Sequence, residues 1–256
     1  MRVALFALAG LIFGSFLTVV IHRVPRRESL MRPGSACPRC GTPIRWFENV
    51  PVLSWMALRG RCRHCGARIS AQYPLIEAAT AALFVAASVA IQPAGVAAVV
   101  AVFLGLMLAI GVIDARHKIV PNALTYPAVP LFAVALGIAQ VLGGGVDLVR
   151  GLIGMALYAV PIGLIALAYP AGMGLGDAKL AALIGLVLGS LGLSRVAVAA
   201  GVGILAGGLA GVIAVTVLRL GRKAQVPYGP YLAGGAVVAA LAGPEIARAY
   251  LSLFSI

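Results

Sequence analysis

The sequence predicts an all-α polytopic membrane protein, and three observations support this fold class. Of the 256 residues, 62% are hydrophobic and only 11% are charged, and the mean hydropathy is +1.05. These values are too apolar for a soluble globular domain. Several apolar runs reach the ~20 residues that a helix needs to cross a bilayer. One long polar segment, 23–72, separates the first run from the others, which predicts a small domain between helices 1 and 2.

About eight transmembrane helices are predicted, at 3–22, 73–91, 96–113, 123–142, 148–169, 179–193, 196–218 and 231–253. The sixth is short for a bilayer-spanning helix. The first resembles a secretory signal peptide, but its apolar run is long and no small-residue cleavage site follows it. Arg23 comes directly after it instead. We therefore predict that the first helix is retained.

The net charge of +13 does not indicate a nucleic-acid partner, because its distribution follows the predicted membrane topology. Of the 20 Lys and Arg residues, 16 lie in the segments assigned to one side of the membrane: 23–72, 114–122, 170–179 and 219–230. Positive charge collects in cytoplasmic loops. Both termini are therefore predicted to lie outside, and the polar segment 23–72 inside.

All four cysteines lie in the polar segment, as two C-x-x-C pairs formed by Cys37 with Cys40 and Cys62 with Cys65. The pairs belong to a short internal repeat, CPRCGTPI and CRHCGARI. In each copy a glycine follows the second cysteine, which frees backbone N–H groups to face the thiolates. Two such pairs supply four sulfur ligands for a closed tetrahedral zinc site.

Other interpretations of the cysteines are weaker. A cytoplasmic compartment argues against structural disulfides, and a thioredoxin-like redox pair requires a βαβ context that the segment does not offer. Four thiolates leave no open coordination position, so the predicted zinc is structural. The predicted domains are the first transmembrane helix (1–22), the zinc domain (23–72) and a seven-helix catalytic domain (73–256).

Two aspartates, Asp114 and Asp177, each lie where a long apolar stretch meets a short polar turn, in a chain with only seven acidic residues. A carboxylate beside the hydrocarbon layer is costly and is therefore a functional candidate. Because the fourth and fifth spans return the chain to the same side, both aspartates are expected at the cytoplasmic face. Helix bundles build sites from facing helices, and a pair of acids suggests acid–base chemistry on a peptide bond.

The surroundings of the second aspartate support this interpretation. Asp177 lies in a G-x-G-D-x-K segment, in which Gly174 and Gly176 let the backbone turn tightly and approach a ligand. Alternatively, Asp177 caps the following helix and Asp114 is an interfacial acid beside basic residues. Two acids at the same face of the membrane, with glycines around one of them, favour a functional role over these structural roles. Lys179 either biases the pair electrostatically or marks the cytoplasmic boundary, and we favour the boundary.

Other patterns narrow the function further. The seventh predicted span has glycine spacing suited to close helix packing in lipid, at Gly201, Gly203, Gly207, Gly208 and Gly211. No G-x-G-x-x-G motif follows a predicted strand, so no Rossmann nucleotide site is expected. None of the three histidines begins an H-E-x-x-H motif, which argues against a zinc protease.

Taken together, these motifs resemble those of the prepilin peptidases, or type IV leader peptidases, over nearly the whole chain. The similar segments are 14–17 with 22–25, 49–55, the paired cysteines, 73–77, Asp114 with 119–122, 174–179, and the P-Y-G-P-Y turn at 227–231. They occur in the order typical of the family.

The resemblance implies an aspartic endopeptidase of the bacterial inner membrane, with Asp114 and Asp177 as its catalytic pair. Its partners would be type IV prepilins or type II secretion pseudopilins and membrane lipid, with no nucleic acid. Cleavage would fall between a glycine and the first mature residue, at the cytoplasmic face. Members with a cysteine domain often also methylate the new amino terminus with S-adenosylmethionine, although no site for this methyl donor is visible in the sequence.

Two alternatives stay open. Another G-x-G-D intramembrane aspartic protease, of the presenilin or signal-peptide-peptidase type, would pair the motif with a Tyr-Asp segment, whereas Ile113 precedes Asp114 here. Such proteases also lack the tetracysteine segment. A proton-coupled transporter would usually show an inverted repeat with broken helices in matching positions, and none is found.

Overall fold

The computed structural model describes residues 1–169, 173–217 and 227–253. Within these ranges the chain forms nine α-helices: α1 (Arg2–Arg23), α2 (Leu53–Ala57), α3 (Gln72–Ala90), α4 (Ala94–His117), α5 (Asn122–Val141), α6 (Leu148–Ala168), α7 (Leu175–Leu191), α8 (Leu193–Thr216) and α9 (Gly229–Ser252). Two short 3₁₀ helices, Val24–Arg26 and Trp46–Asn49, lie between α1 and α2. The described residues contain two isolated β-bridges but no strand, and the predicted all-α class is confirmed.

Among the described helices, seven are long and apolar enough to cross a membrane: α1, α3, α4, α5, α6, α8 and α9. The sixth predicted span, 179–193, corresponds to α7, which begins and ends earlier in the chain. Its 17 residues extend about 25 Å, less than the ~30 Å of a bilayer's hydrocarbon core. The polytopic architecture is confirmed, with α7 as a short helix inside the bundle. The last residue of the seventh predicted span, 218, lies outside the described residues.

The centre of the bundle is formed by α4 and α7. On α4, the side chains of Phe103, Met107 and Ile110 have no exposed surface, and α7 buries every residue from 183 to 190. A helix that is apolar around its whole circumference is stable only when other helices surround it. Since the two candidate aspartates lie at one end of each helix, this core fixes the positions of both carboxyl groups.

The contact between α6 and α7 depends on glycine. A Cβ atom on Gly185 would lie 2.3 Å from the carbonyl oxygen of Gly154, and one on Gly189 would lie 2.7 Å from that of Arg150. Both neighbours are backbone atoms, which cannot rotate away. Small residues let helix backbones approach closely where no hydrophobic force acts between helices in lipid, and they hold α7 against α6 here.

The glycines of α8 fulfil the packing prediction only in part. Gly203 approaches Tyr158 and Leu232, and Gly207 makes room for the ring of Tyr228. At the other three, Gly201, Gly208 and Gly211, an added Cβ atom would meet no described atom within 4 Å. The close packing that the spacing predicts is therefore found at two of the five positions.

The chain between α1 and α3, residues 24–71, is here called the cysteine module. It is tied to the helices by a hydrogen bond of 2.7 Å from the Val52 N–H to Oε2 of Glu77, in the second turn of α3. Within the module, the indole Nε1 of Trp55 donates to the carbonyl oxygen of Ile69 across 3.1 Å. The division of the chain into domains at 1–22, 23–72 and 73–256 stays a prediction.

Candidate active site and metal centre

The first candidate carboxyl group belongs to Asp114, in the last turn of α4. The residue is only 4% exposed, and its Oδ2 accepts a hydrogen bond of 2.9 Å from the backbone N–H of Gly229. Gly229 is the first residue of α9. The amino end of a helix carries unpaired N–H groups and a partial positive charge. α9 therefore directs a fixed donor at Asp114.

The second candidate carboxyl group belongs to Asp177, in the first turn of α7. It is 8% exposed, and its Oδ2 accepts a hydrogen bond of 3.0 Å from the Gly174 N–H. Gly174 is the N-cap of α7, directly before its first residue, and Asp177 follows three positions later. The side chain thus reaches back to the helix start, so a capping role and a functional role are compatible at this position.

The two carboxyl groups lie within electrostatic range of each other. They are contributed by the carboxyl end of α4 and the amino end of α7, and the 227–231 turn binds the first of them. Gly229 binds Asp114, and its neighbour Tyr228 lies within electrostatic range of Asp177. Among the described residues, Oδ1 of each aspartate accepts no hydrogen bond. Each carboxyl group therefore has one anchored oxygen and one free oxygen.

Gly176 and Lys179 connect this site to the start of α5. A Cβ atom on Gly176 would lie 3.1 Å from Cβ of Val120, so α7 passes close to the turn before α5. The ammonium group of Lys179 donates to Oδ1 of Asn122 across 2.9 Å and lies 4.8 Å from the ring centroid of Tyr126. Within the described part of the chain, no ion pair joins Lys179 to either aspartate.

The four cysteines meet in the cysteine module. Their sulfur atoms all lie within 4.8 Å of one another, and Sγ of Cys37 is 3.8 Å from Sγ of Cys65. Zn–S bonds of about 2.3 Å in a tetrahedron place neighbouring sulfurs about 3.8 Å apart. None of the four forms a disulfide. The cluster is a possible metal site whose donor set fits zinc.

The internal repeat folds into two similar knuckles. In the first, the Cys37 N–H binds the Thr42 carbonyl oxygen and the Gly41 N–H binds that of Cys37. In the second, Cys62, Gly66 and Ala67 repeat these bonds. Both glycines have a positive φ, +69° at Gly41 and +67° at Gly66, which favours glycine.

Hydrogen bonds within the knuckles favour the metal-binding form of two of the four thiols, those of Cys40 and Cys62. Backbone N–H groups of Cys65 and His64 lower the pKa of Cys62. Hydrogen bonding to Thr42 lowers the pKa of Cys40 to about 6. The thiolate is the form of cysteine that ligates metal.

Two residues beside these sites escaped sequence reasoning. At Gly229, the P-Y-G-P-Y pattern predicts a turn but gives no sign that the N–H binds Asp114. Glu77 is an acid within an apolar helix, which is the same signal that identifies Asp114. It is 7% exposed and lines a cavity of about 590 Å³ between α1, α3 and the cysteine module.

Fold and site together define a class: a helical membrane protein with two buried carboxyl groups at one end of its bundle and a four-thiol cluster in a polar module. Two family models match the chain, the bacterial peptidase A24 N-terminal domain over residues 8–91 and the type IV leader peptidase family over residues 101–219. The chain belongs to the type IV leader peptidase family.

Several curated relatives align with this chain over more than nine-tenths of their own length. A protein of Aeromonas salmonicida (strain A449) is 36% identical over 275 residues, which cover 96% of this chain and 92% of the relative. A Bacillus subtilis (strain 168) protein is 33% identical over 244 residues, covering 95% and 96%. Both carry the name prepilin leader peptidase/N-methyltransferase. No solved structure matches the chain significantly.

These matches confirm the predicted family and the prediction of an enzyme of the prepilin peptidase type. They also agree with a multi-pass protein of the inner membrane. Membership argues against a presenilin-type protease and against a transporter, since the matched models cover both the cysteine-bearing part and the part with the two aspartates.

Proposed function

We propose that this protein removes the leader from type IV prepilins or type II secretion pseudopilins, with Asp114 and Asp177 as its catalytic pair. One observation carries the proposal: two buried carboxyl groups within electrostatic range of each other, each with one oxygen anchored by a backbone N–H. Anchoring of this kind holds catalytic groups in a productive geometry before substrate arrives.

The proposed chemistry follows from the closeness of the two acids. Neighbouring carboxylates do not both stay charged, so the pair shares one proton. The ionised partner takes a proton from water as the water attacks the scissile carbonyl carbon, and the protonated partner donates to the carbonyl oxygen or the leaving nitrogen. The free Oδ1 atoms serve these transfers, while the Oδ2 atoms stay bound to Gly174 and Gly229. The titration belongs to the pair rather than to either residue.

The site is proposed to face the cytoplasm, as the distribution of basic residues predicts. The basic residues predicted before the last helix, Arg219, Arg222 and Lys223, lie outside the described residues. A prepilin leader is short, basic and cytoplasmic, and the apolar helix after it stays in the bilayer, so the scissile bond lies near the inner interface. The substrate helix would reach that depth by lateral diffusion against the bundle.

The cysteine cluster is proposed to hold structural zinc through Cys37, Cys40, Cys62 and Cys65. Bound zinc supplies a rigid cross-link between the two knuckles. A second proposed activity is methylation of the new pilin amino terminus with S-adenosylmethionine. Its support is the name of the curated relatives, each an N-methyltransferase as well as a leader peptidase.

A direct assay tests the proposed cleavage. Detergent-purified protein is incubated with a full-length prepilin, and the product is examined by gel mobility and by mass spectrometry of its amino terminus. Loss of the leader, with the new terminus directly after a glycine, is expected. An unchanged prepilin, combined with proton movement into vesicles that contain the purified protein, would instead favour a transporter.

A further inference from the structure

The acidic residues of this chain have a distinctive distribution. Two of the seven are the proposed catalytic aspartates. Two more, Asp147 and Glu245, form ion pairs with arginines three positions later. The remaining three, Glu28, Glu48 and Glu77, all line the cavity between α1, α3 and the cysteine module. The three acids that take part neither in the proposed proteolysis nor in these two surface ion pairs therefore line one cavity.

The cavity has the size and lining of a small-molecule site. Its volume of about 590 Å³ lies within the range of about 300–1,000 Å³ that is typical of such sites. Trp55 and Tyr73 contribute aromatic side chains to its wall. Aromatic faces of this kind are suited to stacking against a planar base.

Of these three acids, Glu77 has the surroundings that best fit the binding of a ligand. It is 93% buried, since only 7% of it is exposed, and its contacts are the Val52 N–H and the Ser15 hydroxyl. No cation of the described residues lies within ion-pair distance of its carboxyl group. Burying a carboxylate without a positive partner is costly. A ligand with a positive charge would remove that cost.

Two of the basic side chains around the cavity are already engaged. Both terminal nitrogens of Arg23 donate to backbone carbonyl oxygens, of Ser29 and Pro33. Arg63 forms an ion pair of 3.2 Å with Glu48. These arginines therefore do not neutralise Glu77, and the cavity keeps one buried carboxyl group for a cationic ligand.

We propose that this cavity binds S-adenosylmethionine, with the Glu77 carboxylate beside the sulfonium and an aromatic side chain, Trp55 or Tyr73, against the adenine. The proposal rests on the methyl transfer put forward under the proposed function and gives it a site. A sulfonium is a permanent cation that needs no proton, so it suits a buried carboxyl group that has no cationic partner.

The charge balance of the transfer supports the same position for Glu77. The pilin ammonium first loses a proton to water. The lone pair of the resulting amine then forms the N–CH₃ bond while the S–CH₃ bond breaks and its electron pair stays on sulfur. The product is a methylated ammonium and a neutral thioether, so one positive charge is present before and after the transfer. A single carboxylate compensates it throughout.

The cavity lies at the same end of the bundle as the proposed catalytic pair. A smaller cavity of about 80 Å³ shares Thr18, His22 and Tyr73 with it. That smaller cavity is also lined by Arg116 and His117, which follow Asp114 by two and three positions. A pilin amino terminus released near Asp114 is therefore close to the proposed methyl donor.

The test compares a ligand that carries the sulfonium charge with one that lacks it. Binding of S-adenosylmethionine and of its demethylated product, S-adenosylhomocysteine, whose sulfur is uncharged, is measured by titration calorimetry on the purified full-length wild type and on Glu77→Gln. Gln keeps an oxygen for the Val52 N–H but removes the charge. In Glu77→Gln, the dissociation constant of S-adenosylmethionine, relative to that of S-adenosylhomocysteine, is expected to rise by about tenfold or more.

A matched control is Glu245→Gln, an exposed acid outside the cavity, which is expected to leave the ratio as in the wild type. An unchanged ratio in Glu77→Gln, with wild-type zinc content and thermal unfolding, would overturn the proposal. If Glu77→Gln does not fold, the wild type is irradiated with S-adenosylmethionine tritiated on its methyl group, and the labelled peptide is sequenced. Label within 15–77 supports the site, and label only within 101–217 overturns it.

The outcomes separate this inference from the proposed function. If the wild type methylates cleaved pilin but binding of the methyl donor does not depend on Glu77, the proposed site is refuted and both proposed activities stand. A wild type that cleaves prepilin but neither binds nor uses the methyl donor loses the methyl transfer and this site with it, while the leader peptidase stands.

Discussion

The backbone N–H of Gly229 donates a hydrogen bond to Oδ2 of Asp114 across 2.9 Å, although the two residues are 115 positions apart in the chain. The contact leaves no room for a side chain. A Cβ atom on Gly229 would lie 2.7 Å from that same oxygen. The amino end of α9 can therefore approach the carboxyl group only with glycine at this position.

Replacement of Gly229 by alanine is expected to lower leader cleavage by about 100-fold, because displacement of a catalytic group by about 1 Å costs that much. Alanine favours helix, so α9 itself should persist. Cleavage rates are measured on purified variants with one prepilin. The matched control is Gly234→Ala on the same helix, where a Cβ meets no atom within 4 Å among the described residues. Equal rates for the two variants would show that the contact has no role in activity.

Asp114→Asn and Asp177→Asn are each expected to reduce cleavage on the order of 10³-fold or more, since residues that act as a unit fail when one is lost. Asn keeps the shape and the Oδ acceptor for the backbone N–H but cannot hold the shared proton. Asp147→Asn serves as control, because Asp147 caps α6 and Asn is an equally favoured cap. Near-normal cleavage by either variant of the pair would refute its assignment.

The sequence predicted the helical class and most spans because long apolar runs need only composition and length to be recognised. It predicted the cysteine cluster because the C-x-x-C repeat encodes ligand spacing locally. α7 was placed four residues too late because its first turn, with Asp177 and Lys179, is polar. That turn lies at the end of a buried helix, where the partners of polar groups come from other helices.

The contacts that escaped prediction are those between distant segments. Nothing in the P-Y-G-P-Y turn signals that its glycine binds Asp114, and no local pattern distinguishes Gly185, which meets Gly154, from Gly201, which meets no described neighbour. Lys179 lies only two positions after Asp177 in the sequence, yet its ammonium binds Asn122. These contacts depend on which helices are neighbours in the bundle. The order of the helices along the sequence does not specify that.

The purified protein is expected to carry about one zinc ion per chain, since four thiolates fill one tetrahedral site. Replacement of Cys37, Cys40, Cys62 and Cys65 together by serine should remove the metal and increase proteolysis within residues 24–71. Metal content is measured by mass spectrometry of the element. His64→Ala is the control, because His64 lies between two ligands in sequence but is not part of the sulfur cluster. A metal-free wild type with a protease-resistant module would contradict the zinc assignment.

Gly185→Ala tests whether the close contact between α6 and α7 positions Asp177. The new Cβ would lie 2.3 Å from the carbonyl oxygen of Gly154, and a backbone atom gives way only if the helices separate. Overpacking of this kind costs about 1–3 kcal/mol, so the midpoint of thermal unfolding should fall. Cleavage should fall as well, because the displaced helix carries one of the two proposed catalytic carboxyl groups.

The control for this variant is Gly201→Ala on α8, which adds the same methyl group where no described atom lies within 4 Å. Unfolding is followed by the far-ultraviolet circular dichroism of the helices in detergent, and cleavage by the prepilin assay. Reduced cleavage with an unchanged unfolding midpoint would place the effect at the site alone. If Gly185→Ala matches the control in both measurements, α7 is not held in place by this contact. The packing of α5, α8 and α9 against α7 must then position Asp177 without it.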